Sequence, residues 1–217
     1  QGTVNKTGIM LFLALLSAMW VWRQFFVYEA PQISLYLWGG AIGGFIAAMV
    51  AIFKPTTAPI VAPVYALLEG LFLGGISSIM EARFPGIVIQ AVGLTFGTLF
   101  ALLFAYKSGL IKATENFKLG ITAATGGIFL MYMVSFILGF FGTHVPFIHG
   151  NGIIGIGISG FIVVIAALNL VLDFDFIEQG VEQGAPKFME WRAALGLMIT
   201  LVWLYIEILH LLSKLRS

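Results

Sequence analysis

Seven apolar stretches, each long enough to cross a bilayer, constrain this 217-residue chain more than any other feature of its sequence. A membrane-spanning helix needs about 20 mostly apolar residues. Spanning β-strands are shorter and alternate polar with apolar side chains, which these stretches do not. The predicted spans run approximately over Gly8–Tyr28, Ile33–Phe53, Pro59–Met80, Gly86–Tyr106, Leu119–Phe141, Gly152–Phe176 and Trp191–Leu212. Only short turns separate them, so we expect an all-α polytopic membrane protein with a single seven-helix transmembrane domain over residues 1–217.

Composition supports this class and excludes several others. Hydrophobic residues make up 60% of the chain and charged residues 10%, whereas a soluble domain carries about 25% charged residues. The formal net charge of +1 argues against nucleic acid as a partner. The absence of cysteine excludes disulfides and thiolate chemistry, and no metalloprotease, hydrolase or P-loop motif is present. We therefore expect neither an enzyme nor a bound cofactor. Because the chain begins at Gln1 rather than Met, we also expect a missing natural N-terminal tail.

The positive charges predict the orientation, because Lys and Arg are enriched in cytoplasmic loops. With the N-terminus inside, the inner side holds Lys6, Lys54, Lys107, Lys112, Lys118, Lys187 and Arg192. The outer side then holds Arg23, Arg83, Lys214 and Arg216. This balance favours a cytoplasmic N-terminus and places Asp173 and Asp175 near the cytoplasmic end of the sixth span.

Many of the 26 glycines lie inside the spans. Small residues four apart let helix backbones approach closely, so we interpret Gly39–Gly44, Gly70 with Gly74, and Gly93 with Gly97 as packing positions. The alternative is a hinge or water path, for which the segment from Gly155 to Gly160 is the best candidate.

Four carboxylates lie in or at the ends of the spans, where ionisable residues usually mark a function. Glu69 lies in the middle of the third span, Asp173 and Asp175 close the sixth, and Glu207 lies within the seventh. Asp173 shares a helix face with Asn169, one turn earlier, so it is the better candidate for the bundle axis. Asp175 points elsewhere, either to the headgroup region as a solvated carboxylate or to a neighbouring helix.

Two further acids and two histidines have simpler interpretations. We interpret Glu178 and Glu182 as loop charges. His144 and His149, five apart in an outer loop, could bind a metal or sense pH, but a solvated pair is the simpler interpretation.

The seventh span carries a polar face of its own. Glu207, His210 and Lys214 are spaced i, i+3 and i+7, and Trp203 and Thr200 continue the same face. A final helix with such a stripe is typical of the centre of a bundle. Burial and a like charge nearby both favour the neutral form of a carboxyl group, so two such groups can share a proton. Their oxygens can equally bind a hard cation such as Ca²⁺, with Asp173 and Glu207 as the candidate ligands.

These motifs resemble the Bax-inhibitor superfamily, the transmembrane Bax inhibitor motif proteins, and within it the bacterial YccA/YetJ-like members. Leu170-Val171-Leu172-Asp173-Phe174 matches the acidic motif that ends the sixth span of the family. Leu204-Tyr205-Ile206-Glu207 matches the acidic motif of the seventh, with Glu in place of Asp. Tyr65 to Gly70, followed by Gly74 and Ser77, is similar to a third span that carries a glutamate.

The resemblance implies two three-helix layers around a central seventh helix, in a bacterial inner membrane. It also implies a pH-sensitive calcium leak, in which carboxylates of the sixth and seventh helices open or close the path as protons bind. A basic residue at the cytoplasmic end of the second helix latches onto that pair in the family, and Lys54 holds this position here.

This chain departs from the family pattern in three places: Glu207 is longer than Asp, Asp175 is an additional acid, and Gly180–Pro186 lengthens the last connection. A seventh helix that begins at Trp191 would put Glu207 about 24 Å along it. Asp175 or Glu69 would then replace Asp173 as its partner.

Two functions from different classes therefore remain open. The first is a seven-helix calcium leak controlled by protonation of Asp173 and Glu207. The second is a non-conducting regulator that binds or modulates a membrane protease, since some bacterial members of the family are linked to one. An intramembrane aspartyl protease is disfavoured, because the two aspartates are only two residues apart on one helix and no G-x-G-D motif is present.

Overall fold

A computed structural model describes residues 2–28, 32–141 and 152–217, and within them it contains seven α-helices, one short 3-10 helix and no strand. The helices are α1 (Gly2–Phe26), α2 (Ile33–Phe53), α3 (Ala58–Arg83), α4 (Ile87–Lys107), α5 (Glu115–Phe140), α6 (Ile153–Glu182) and α7 (Lys187–Leu215), and the 3-10 helix is Pro55–Thr57. All seven α-helices are long and apolar enough to cross a membrane, which confirms the prediction of an all-α, seven-span protein. His144 and His149 lie outside the described residues.

The connection between the last two helices is shorter than predicted. α6 continues to Glu182, so the placement of Glu178 and Glu182 in a loop is wrong. α7 begins at Lys187 rather than Trp191. The turn comprises residues 183–186 only. Hydropathy marks the part of a helix that lies in hydrocarbon, whereas the backbone hydrogen bonds continue into the polar residues beyond it.

Gly184 makes this short turn possible. Its φ of +62° lies in the left-handed region, which glycine adopts without a steric cost. Its N–H donates to the carbonyl of Val181 at 3.2 Å, and the N–H of Ala185 donates to Gly180 at 2.9 Å. These two bonds form a Schellman cap that ends α6 and satisfies its last carbonyls.

The contacts divide the chain into two compact units, which are described separately. The first unit comprises Gln1–Val88 and Phe176–Val202, and the second comprises Ile89–Asp175 and Trp203–Ser217. Both units include part of α7. Of the 18 most apolar consecutive residues of α7, 61% are buried within the protein. The corresponding share is 11% to 44% in the other six helices. The central position of α7, the two three-helix layers and the single domain stay predictions.

In the first unit, α3 packs against both α1 and α2, and glycines form the contacts. A Cβ atom on Gly40 of α2 would stand 2.5 Å from the carbonyl oxygen of Leu68 in α3. A Cβ on Gly74 of α3 would stand 2.7 Å from the carbonyl oxygen of Ala18 in α1. The packing interpretation therefore holds at these positions. It does not extend to Gly93 or Gly97, where a Cβ would meet nothing within 4 Å; the same is true of Gly39, Gly152, Gly157 and Gly160.

In the second unit, α5 and α6 share an apolar core. Ile121 and Ile128 of α5 lie against Ile162 and Ile165 of α6, and Trp203 of α7 packs against the same cluster. The cluster fixes the faces of α5, α6 and α7 that carry the polar side chains described next.

Candidate functional site

Glu207 is the most deeply placed acid of the second unit. Its side chain is on α7, eight residues or about 12 Å before the helix ends, and only 4% of the residue is exposed. Two donors reach the same carboxylate oxygen, Oε1: the Tyr132 hydroxyl of α5 at 2.8 Å and the Trp203 indole N–H at 3.1 Å. Trp203 reaches it because residues four apart share a helix face. Glu207 is therefore turned into the protein rather than toward lipid.

Asn169 links α6 to α5. Its Nδ2 atom donates to the Thr125 hydroxyl at 2.8 Å and to the carbonyl of Ile165, one turn earlier, also at 2.8 Å. The amide thus bridges α5 and α6. A supporting polar role for Asn169 beside Asp173, on the helix face that the two residues share, stays a prediction.

The two aspartates of α6 have different surroundings. Asp175 forms an ion pair of 2.8 Å with Lys118 of α5, and its side chain is 19% exposed. Of the two alternatives for Asp175, contact with a neighbouring helix is therefore the one found. Asp173 is half-buried, and its Oδ2 atom is shielded from solvent. Whether Asp173 shares a proton with Glu207 stays a prediction.

The polar face of α7 continues to its end. His210 is half-buried, and its carbonyl oxygen accepts a hydrogen bond from the Ser213 hydroxyl. Lys214 extends its ammonium group to α6, where it donates to the Ser159 hydroxyl at 2.8 Å and to the Gly155 carbonyl at 3.3 Å. The predicted polar face of α7 with Glu207, His210 and Lys214 is therefore turned toward the neighbouring helices. Glu207 at one end contacts α5, and Lys214 at the other end contacts α6.

Glu69 and Lys54 belong to the first unit. Glu69 of α3 is 8% exposed, and its carboxylate lies against Gly44 of α2, where a Cβ atom would stand 2.6 Å from Oε2. Lys54 follows the end of α2 and is exposed, and its carbonyl oxygen accepts a hydrogen bond from the Thr57 hydroxyl at 2.7 Å. The predicted latch function of Lys54 is not tested by these contacts.

In the part of the chain that the structure describes, no three His, Asp or Glu side chains come together in a group able to hold a metal ion. Ca²⁺ takes six to eight oxygen ligands. A calcium ion at Asp173 or Glu207 would therefore need hydroxyl, carbonyl or water oxygens in addition.

Sequence reasoning missed three residues of this region, all on α5. Lys118, Thr125 and Tyr132 each contact one of the predicted site residues, namely Asp175, Asn169 and Glu207. They are spaced seven apart, which places them on one face of the helix. That spacing was visible in the sequence, but single polar residues within an apolar stretch carry too weak a signal unless their partners are known.

Comparison with known proteins places the chain in a family. No curated protein and no solved structure matches it significantly. A family model described as "Bax inhibitor 1 like" matches residues 1–217, which is the whole chain. The protein therefore belongs to the Bax inhibitor 1-like family.

Proposed function

We propose that this protein is a pH-sensitive calcium leak of a bacterial inner membrane, and that protonation of Asp173 and Glu207 controls it. The observation that carries the proposal is the environment of Glu207. A buried acid at this depth in a membrane helix is costly and usually serves a function. Membership of the family and the seven spanning helices support the same conclusion.

The chemistry of the two donors to Glu207 fits a group that changes its charge. The Tyr132 hydroxyl and the Trp203 indole are neutral, so they hold the carboxyl group in place without the full positive charge that would keep it ionised. Besides Tyr132 and Glu207, the second unit carries ionisable groups at Glu115 and Lys118 on α5, at Asp173 and Asp175 on α6, and at Tyr205, His210 and Lys214 on α7. A proton and a cation can therefore compete for the same oxygen atoms.

Calcium flux into proteoliposomes, measured over a series of pH values, tests the proposal. We expect the wild-type protein to conduct and its flux to change with pH. Asp173→Asn and Glu207→Gln should each reduce that change, because neither amide can take up or release a proton. Glu182→Gln is the matched control, since it removes an exposed carboxylate at the end of α6 and should leave the pH response unaltered. Wild-type flux and pH response in both buried variants would contradict the mechanism.

The same experiment separates the proposal from its rival. A wild-type protein that is folded in liposomes and conducts no cation at any pH would favour the non-conducting regulator of a membrane protease. Copurification of the full chain with such a protease would then be the next measurement. We assign no enzymatic activity to the chain in either case.

The proposal also places the N-terminus in the cytoplasm. Because the chain has no cysteine, one cysteine introduced at exposed Lys54 reports the side of the membrane through labelling by an impermeant thiol reagent. Labelling in inverted vesicles but not in intact cells is expected. The opposite result would reverse the orientation.

A further inference from the structure

Three polar side chains on α5 form a line along most of the span. Lys118, Thr125 and Tyr132 are seven residues apart, and each is half-buried. From the first to the last, the helix rises about 21 Å, against a hydrocarbon thickness of about 30 Å. We call these three residues the polar stripe. Lipid-facing residues such as Phe129, 65% exposed, lie on other faces of the same helix.

Every residue of the polar stripe has a polar partner on a neighbouring helix. Lys118 pairs with Asp175 at 2.8 Å, and the Thr125 hydroxyl accepts from Asn169 at 2.8 Å. Tyr132 donates to Glu207 at 2.8 Å.

The line of polar contacts continues beyond Tyr132 on α7. Lys214 is seven residues, or about 10.5 Å, further along α7 than Glu207, and its ammonium group contacts Ser159 and Gly155 of α6. Polar groups thus follow one another over about 30 Å of helix rise, from the ion pair of Asp175 to the hydrogen bonds of Lys214 near the other end. This length matches the thickness of the hydrocarbon core.

The hydrogen bond between Thr125 and Asn169 has a defined position along the helix axes relative to Asp173 and Glu207. α5 and α6 are antiparallel, because Lys118 pairs with Asp175 and Thr125 with Asn169. Asp173 is four residues, about 6 Å, from Asn169 in one direction. Tyr132, which holds Glu207, is seven residues, about 10.5 Å, from Thr125 in the other. The bond therefore lies between the levels of the two acids.

Hydrogen bonds between membrane helices can serve packing alone, and neutral side chains suffice for that purpose. The stripe differs because its two end residues contact carboxylates, Lys118 at Asp175 and Tyr132 at Glu207, and charged groups are stable in hydrocarbon only with water, an ion or a counter-charge. We propose that the polar stripe lines a hydrated route for protons and cations through the second unit, and that the Thr125–Asn169 bond is its narrowest contact. This inference rests on the proposed function and names the residues along its path.

Cysteine accessibility tests the route directly, because the full chain has no cysteine of its own. Single-cysteine variants in proteoliposomes react with a small, positively charged methanethiosulfonate, which requires water because the thiolate is the reactive form. We expect Thr125→Cys and Asn169→Cys to react at least about tenfold faster than two controls. Phe129→Cys faces lipid, and Ala124→Cys packs against the apolar cluster beside the stripe.

The outcomes separate this inference from the proposed function. If Thr125→Cys and Asn169→Cys react with the methanethiosulfonate no faster than the two controls, the proposed route is wrong, even if the wild-type protein conducts calcium. Fast reaction at Thr125→Cys or Asn169→Cys supports the route, even if calcium is not the ion that passes. If either Thr125→Cys or Asn169→Cys does not fold, the other variant reports on the same contact from the opposite helix. In a conducting protein, modification at either position should reduce flux at least about tenfold, whereas modification at Phe129→Cys should not change it.

Discussion

Tyr132 of α5 donates a hydrogen bond of 2.8 Å to Oε1 of Glu207 of α7, and the bond joins two of the seven helices that are long and apolar enough to cross a membrane. Glu207 cannot rotate toward lipid without losing this bond and the one from Trp203 on the same oxygen. The position of the acid is therefore set by two aromatic side chains, neither of which carries a charge.

Replacing Tyr132 by Phe should shift the pH response without abolishing it. Both donors favour the charged form of the carboxyl group, so loss of one makes protonation easier. A hydrogen bond to a charged group contributes about 1.5–3 kcal/mol, so the midpoint of the flux-against-pH curve should move to higher pH by about one to two units. Tyr28→Phe, at a tyrosine that is 59% exposed in the first unit, is the matched control. An unchanged midpoint in Tyr132→Phe would mean that the bond serves packing only.

The ion pair between Lys118 and Asp175 should stabilise the protein more than an exposed pair does. The side chains are 26% and 19% exposed, so water screens them only partly. A double-mutant cycle of Lys118→Gln and Asp175→Asn should give a coupling free energy of about 1 kcal/mol or more in detergent, against about 0.2–1 kcal/mol for exposed pairs.

Glu115 supplies the control for this cycle. It also contacts Lys118, at 3.4 Å, but its side chain is 87% exposed. The coupling between Glu115→Gln and Lys118→Gln should be much smaller and should vanish in high salt. Equal couplings for the two carboxylates would show that the burial of Asp175 adds nothing to the pair.

The seven spans and the acids could be predicted from the sequence, because both are strong one-dimensional signals. A run of about 20 apolar residues has few interpretations, and a carboxylate inside it is conspicuous. The helix ends were less predictable. α6 extends six residues beyond the predicted end at Phe176, because polar residues leave the hydrocarbon without leaving the helix.

The partners of the acids could not be predicted, because they depend on which helix faces meet. The spacing of Lys118, Thr125 and Tyr132 puts them on one face of α5, but only the packing of α5 against α6 and α7 shows that each meets a polar partner there. Asp175 illustrates the same limit. The spacing of the two aspartates showed that they point in different directions, but not that Asp175 would pair with Lys118 on the neighbouring helix.

Gly40 should be intolerant of a methyl group, whereas its neighbour Gly39 should accept one. A Cβ on Gly40 would stand 2.5 Å from the carbonyl oxygen of Leu68 and 2.6 Å from the backbone nitrogen of Phe72. Neither backbone atom can move without separating α2 from α3. A Cβ on Gly39 would meet nothing within 4 Å.

Thermal unfolding in detergent should therefore show Gly40→Ala destabilised by about 1–3 kcal/mol, the usual range for overpacking. Gly39→Ala should be neutral or slightly stabilising, because alanine favours the helix by about 1 kcal/mol relative to glycine. If the two variants unfold alike, α2 and α3 do not pack through Gly40.

Gly44 differs from Gly40, because the atom that a methyl group would meet belongs to a flexible side chain. Its Cβ would stand 2.6 Å from Oε2 of Glu69, and that carboxylate can swing aside where backbone cannot. We expect Gly44→Ala to cost less stability than Gly40→Ala, about 1 kcal/mol or less. The displaced carboxyl group should also become more reactive toward dicyclohexylcarbodiimide, an apolar reagent that modifies protonated acids within membranes. Mass spectrometry of the full chain should show a several-fold faster modification of Glu69 in Gly44→Ala than in Gly39→Ala. If Glu69 in Gly44→Ala reacts no faster and the variant loses as much stability as Gly40→Ala, the Glu69 carboxylate does not lie against Gly44.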